Sequence, residues 1–92
     1  MSKIGVLIAD DHALVREGIA AFLKVSNEIE VIGEASDRIE AIEKAKKLKP
    51  DVVLMDIAMP KLGGLEASIE MKKIMPDIKI LVLTQYENKV WH

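Results

Sequence analysis

Three nearly uninterrupted apolar runs, IGVLIA (Ile4 to Ala9), VVLM (Val52 to Met55) and IKILVL (Ile78 to Leu83), are separated by stretches with apolar residues at helical spacing. This alternation constrains the fold more than any other feature. A strand that is apolar at consecutive positions must be covered on both faces, as in parallel sheets whose crossover helices pack above and below. With right-handed crossovers, the chain is expected to form an open, doubly wound α/β sheet.

Between the runs the periodicity changes. From Ala13 to Val25, the positions Leu14, Val15, Gly18, Ile19, Phe22 and Leu23 recur at spacings of three and four, which predicts a helix ended by Ser26 and Asn27. Ile29 to Ala35 (IEVIGEA) alternates acidic with apolar residues and contains Gly33, the pattern of an edge strand. Asp37 and Glu40 fit a capping box at the start of a second helix, with Ile39, Ile42, Ala45 and Leu48 as its expected buried stripe. Pro50 must stop that helix and drive the preceding residue out of α geometry. MPKLGG reads as a loop before a third helix from about Leu65 to Met75, closed by Pro76 and Asp77. Thr84 to His92 leaves room for a loop and a short helix. No repeat or linker interrupts the chain, so residues 1–92 are expected to form a single domain.

Composition narrows the function. Thirteen Lys and Arg against fifteen Asp and Glu give a net charge of −2, offering no electrostatic reason for this segment to bind DNA or an anionic membrane. The absence of cysteine excludes disulfides and thiolate metal sites. The N-terminus has no signal-peptide core, and no run has the length of a membrane span, so a cytoplasmic location is expected.

In doubly wound sheets, ligands bind at the carboxyl ends of the strands. Asp10 and Asp11 follow the first apolar run and Asp56 follows the second, VVLM. If those strands are neighbours, three carboxylates converge, and their mutual repulsion calls for a hard divalent cation such as Mg2+. Thr84, at the end of the fourth strand, adds a hydroxyl in the same layer. A carboxylate beside a divalent cation, a hydroxyl and helix N-termini suits aspartyl phosphorylation. His12, as the residue opening a helix, reads as a partly exposed polar group without chemistry.

Taken together and in order, LIADDH, MDIAMPKLGGLEA and ILVLT resemble the receiver domain of two-component response regulators. ADDHALVREGI is similar in particular to the NarL/FixJ class, in which a receiver precedes a LuxR-type helix-turn-helix DNA-binding domain. The resemblance implies a flavodoxin-like sheet of order 2-1-3-4. It makes Asp10 and Asp11 the acidic metal-binding pair, Asp56 the phosphoacceptor and a metal ligand, the backbone carbonyl of Ala58 a further ligand, and Thr84 the switch hydroxyl. Pro60 and Gly64 fall in the loop after the acceptor. Mg2+ is the implied cofactor and a histidine kinase the implied partner.

Two departures from the family pattern shape the remaining expectations. The sequence stops within what matches the fourth helix, so the fifth strand, its lysine and the fifth helix are missing; Lys61, Lys79 and Lys89 do not match that lysine. The fourth strand then becomes an edge, and the first helix keeps an apolar flank, which predicts a homo-oligomer formed through the fourth-strand edge and the first helix. The leading functional reading is a phosphoacceptor receiver from a DNA-binding transcriptional regulator, with no DNA binding by this segment alone. The alternative is a signalling-impaired receiver acting mainly as a self-associating module. An enzyme is not expected: a phosphatase using Asp56 as nucleophile would want a second acid two residues on, which DIAMP lacks.

Overall fold

The computed structural model describes residues 3–56 and 64–83. The elements are β1 (Ile4–Ala9), α1 (Ala13–Leu23), β2 (Ile29–Ala35), α2 (Arg38–Leu48), β3 (Val52–Asp56), α3 (Gly64–Ile74) and β4 (Lys79–Leu83). The strands form one parallel sheet of order β2-β1-β3-β4, the flavodoxin-like arrangement. β2 is an edge, as its half-polar pattern requires.

Side chains alternate across the sheet. Leu7, Ala9, Val53 and Met55 point to one face, where they pack with Ala41, Ile42 and Ala45 of α2 and with Ala67 and Met71 of α3. Val6, Ile8 and Leu54 point to the other, where they meet Ala20, Ile19 and Leu23 of α1. The two central strands, β1 and β3, are buried on both sides, which is the physical reason for their continuous apolar character. β2 carries an extra residue where the register shifts between Val6 and Leu7, so Val6 faces Val31 while Leu7 faces Gly33. A Cβ on Gly33 would lie 2.7 Å from Leu48 Cδ1 and 3.3 Å from Leu7 Cδ1, so the glycine lets α2 lie close to the edge strand.

Helix ends follow local chemistry. Asp37 caps α2, its Oδ1 accepting the Glu40 N–H at 2.8 Å, while Glu40 Oε1 reaches back to the N–H of Ser36 at 2.7 Å, one residue beyond the usual capping-box partner. At the other end Lys49, preceding Pro50, adopts left-handed φ 51° and its N–H bonds Ala45 O at 2.9 Å. The expected stripe of α2 needs correction. Ala41, Ile42 and Ala45 are buried, but Ile39 is 64% exposed and Leu48 lies at the margin, because the small Ala41 permits the close approach to the sheet. Helix α1 ends at Leu23 rather than Val25, turned by the Val25 and Ser26 N–H bonds to Phe22 O and Leu23 O. Gly64 begins α3 rather than ending the loop before it.

Candidate functional site at the carboxyl ends of β1 and β3

β1 and β3 are neighbours, with Ala9 opposite Met55. Asp10 directly follows Ala9 and Asp56 directly follows Met55, so the two acids stand at adjacent strand ends; the backbone of Asp56 pairs with Leu83 of β4. This adjacency was the condition for a convergent acid site. Ala58, Pro60 and Thr84 lie outside the described residues.

Asp10 is 2% exposed, the buried charged residue of the described core. Its N–H donates to Ala35 O at 3.0 Å, extending the ladder to β2, and its Oδ1 accepts the His12 N–H at 2.8 Å. That second bond folds the carboxylate back over the turn into α1, at the positive end of the helix. Asp11 is partly exposed. His12 is the N-cap of α1, yet its side chain makes no capping bond. Instead, its Nδ1 lies 2.8 Å from Asp11 Oδ1 and 3.4 Å from Asp10 Oδ1. One potential donor atom from each of these three residues falls within a 4.8 Å group.

Three further residues meet at this turn. His12, a polar helix opener, leans on the acid pair. Arg16, one turn into α1, donates from Nη1 to the carbonyl of Asp10 at 2.6 Å and from Nε to Glu34 Oε1 at 3.1 Å. Its position four residues after His12 was the available signal, since i and i+4 share a helix face. Glu34, near the end of β2, looked like one more solvent-facing acid of an edge strand.

Asp10 and Asp11 offer hard carboxylate oxygens at a strand end, one of them buried. That donor chemistry suits Mg2+, which is commonly held by one or two protein carboxylates while keeping several waters. These two residues therefore fit the ion. Held there, the ion would neutralise the clustered carboxylates.

A cavity of about 790 Å3 lies at the opposite end of the sheet, lined by Ile4, Pro50, Val52, Met75 and Ile78 among others. Volume favours that cavity, but chemistry favours the acid pocket. The cavity lining is mainly apolar, and of its charged residues Lys46 and Lys49 belong to the end of α2, where a helix C-terminus attracts cations.

The family model described as the response regulator receiver domain matches residues 6–91. The response regulator protein VraR of Staphylococcus saprophyticus is 46% identical over 90 residues, covering 96% of this chain and 43% of the relative. The chain thus spans less than half the length of this curated relative. A LuxR-family two-component response regulator from an Aurantimonas species superposes with a TM-score of 0.84 at 32% identity, covering 90% of this chain and 59% of that one. The response regulator domain of Thermotoga maritima CheB superposes with a TM-score of 0.85 at 36% identity, covering 96% and 65%.

Proposed function

The chain belongs to the response regulator receiver family, and from that premise we propose that it accepts a phosphoryl group on Asp56 from a histidine kinase. Receiver domains are signalling proteins rather than classical enzymes; they interact with histidine kinases and bind Mg2+ at an acidic pocket. The finer assignments are our reading. Asp10, Asp11, Asp56 and the Ala58 carbonyl hold Mg2+, Thr84 supplies the switch hydroxyl, and residues 1–92 act as one receiver domain of a DNA-binding transcriptional regulator. The observation that carries this reading is the buried Asp10 at the end of β1, beside the strand that ends in Asp56. The similarity to VraR and to a LuxR-family regulator supports the transcriptional context. A cytoplasmic location goes with this reading; no helix of the described residues is long and apolar enough to cross a membrane.

Intact mass after incubation with Mg2+ and acetyl phosphate tests the central claim. The wild type gains one phosphoryl group and Asp56→Asn gains none. No gain by folded wild type overturns it.

Self-association through α1 and the β4 edge is part of the same proposal. Leu14, Phe22 and Val25 of the α1 region are 81%, 77% and 83% exposed, and Leu81 of β4 is 57% exposed. Large apolar side chains exposed on this face favour association. Light scattering at micromolar concentration is expected to show a dimer or larger species, and a monodisperse monomer rules this out. Nothing observed favours the alternative of a signalling-impaired assembly module.

A further inference from the structure

The acid pocket is braced by a side chain whose contacts go beyond helix formation. The Arg16 side chain is 19% exposed and spans three segments: the first turn of α1 that carries it, the end of β1 through the Asp10 carbonyl, and the end of β2 through Glu34. Two different nitrogens of one planar fork serve two partners. A lysine, with a single nitrogen on a flexible stem, holds this geometry less well.

Asp10 is thereby fixed on every side that the contacts define. Ala35 holds its N–H, Arg16 its carbonyl, and the His12 N–H its Oδ1. Glu34 is anchored in turn, its carbonyl accepting from Lys44 Nζ at 2.5 Å, and Lys44 pairs with Glu40 at 3.4 Å. A continuous polar chain therefore runs from the first turn of α2, across the edge strand, to the buried acid.

We propose that Arg16, backed by Glu34, is a positioning residue that preorganises the turn carrying Asp10 and Asp11 for a hard divalent cation. The inference rests on the metal-pocket reading above and adds to it the residue that holds the pocket in shape. Charge and position make opposite demands at this place. A guanidinium near a cation site repels the cation, so by Coulomb's law alone its removal strengthens binding. As a brace its removal weakens binding, because the freed turn must be ordered when the ion binds. The sign of the change separates the two roles.

The test is Mn2+ binding, followed by isothermal titration calorimetry, in the wild type, Arg16→Met and Arg16→Lys, with metal-free thermal unfolding run alongside. Arg16→Met keeps an apolar stem and removes both charge and fork; binding is expected to weaken about tenfold or more. Arg16→Lys keeps the charge and loses the two-way fork; a smaller weakening is expected, where Coulomb's law alone predicts none. A merely structural role lowers the unfolding temperature and leaves the affinity of the folded protein unchanged. If folded Arg16→Met binds Mn2+ as tightly as the wild type or more tightly, the positioning role is overturned and the pocket reading survives. Should Arg16→Met fail to fold, Arg16→Lys decides by the same measurement, weakened binding supporting the role and unchanged binding overturning it. No Mn2+ binding by the folded wild type overturns both readings.

Discussion

Under α2 and α3 the sheet is closed by small residues at the closest approaches, Ala41, Ala45 and Ala67, with Met71 filling the space between helices and sheet. Under α1 the cover is thinner. Ala20 is the buried residue of that helix, Ile19 and Leu23 are only partly buried, and Leu81 of β4 stands open on the same face. The helices differ in the same sense. α2 has a side-chain cap, an acid in its first turn and lysines in its last; α1 has none of these. The residue that could have capped α1, His12, turns toward Asp10 and Asp11 instead. Local stability and site chemistry thus compete for one position, and at α1 the site holds the side chain.

The largest effect that tests this contrast is in the core. Leu7→Ala, on the α2 and α3 face, is expected to lower unfolding stability by about 2–5 kcal/mol, because its fully buried site sits between two packed layers that collapse poorly. Ile8→Ala is equally buried but faces α1. Urea melts should place it toward the low end of the same range, about 2–3 kcal/mol, since the partly buried Ile19, Leu23 and Val31 can move into the gap. Equal losses at the two positions would break the contrast.

Caps come next. Asp37→Ala removes the acceptor of the Glu40 N–H and should lower stability by about 1 kcal/mol. A pH series then sharpens the comparison. Glu40 is held below the ordinary carboxylate range, chiefly by the Ser36 N–H, with the Ser36 hydroxyl and Lys44 adding to the effect and burial opposing it. A depressed folded value gives stabilisation that is present above the ordinary glutamate value, about 4.3, and lost as pH falls through the folded value. Glu40→Gln should therefore flatten the acid limb of the stability curve; identical limbs would show that Glu40 contributes nothing there. The smallest effect belongs to the open face: Phe22→Ala should change unfolding stability by no more than about 0.5 kcal/mol at concentrations where the protein is monomeric. A loss as large as that of Ile8→Ala would mean that the flank is covered.

Much of the fold was legible in the chain because strand burial and strand composition are linked. IGVLIA and VVLM are apolar at consecutive positions and are covered on both faces, whereas the equally apolar IKILVL keeps Leu81 and Val82 exposed. IEVIGEA departs from that pattern and lies at the edge. Pro50 and Asp37 marked their helix boundaries through chemistry that is local to a few residues. The acids were legible as candidates for a related reason: a carboxylate placed directly after a buried strand needs a partner or an ion.

Tertiary structure decided what depends on distances between segments. Periodicity put Ile39 on the buried stripe of α2, but the seating of the helix on the sheet buries Ala41 and leaves Ile39 in solvent. No pattern within β2 announced that Glu34 would meet Arg16, because that pairing requires the β2–β1 register and the seating of α1 together. Adjacency of Asp10 and Asp56 likewise came only with the strand order. The sequence by itself determined which segments are strands, which are helices and which acids end them, since each follows from residues close in the chain. Which polar groups meet, and hence what braces the pocket, was set by packing between segments far apart in it.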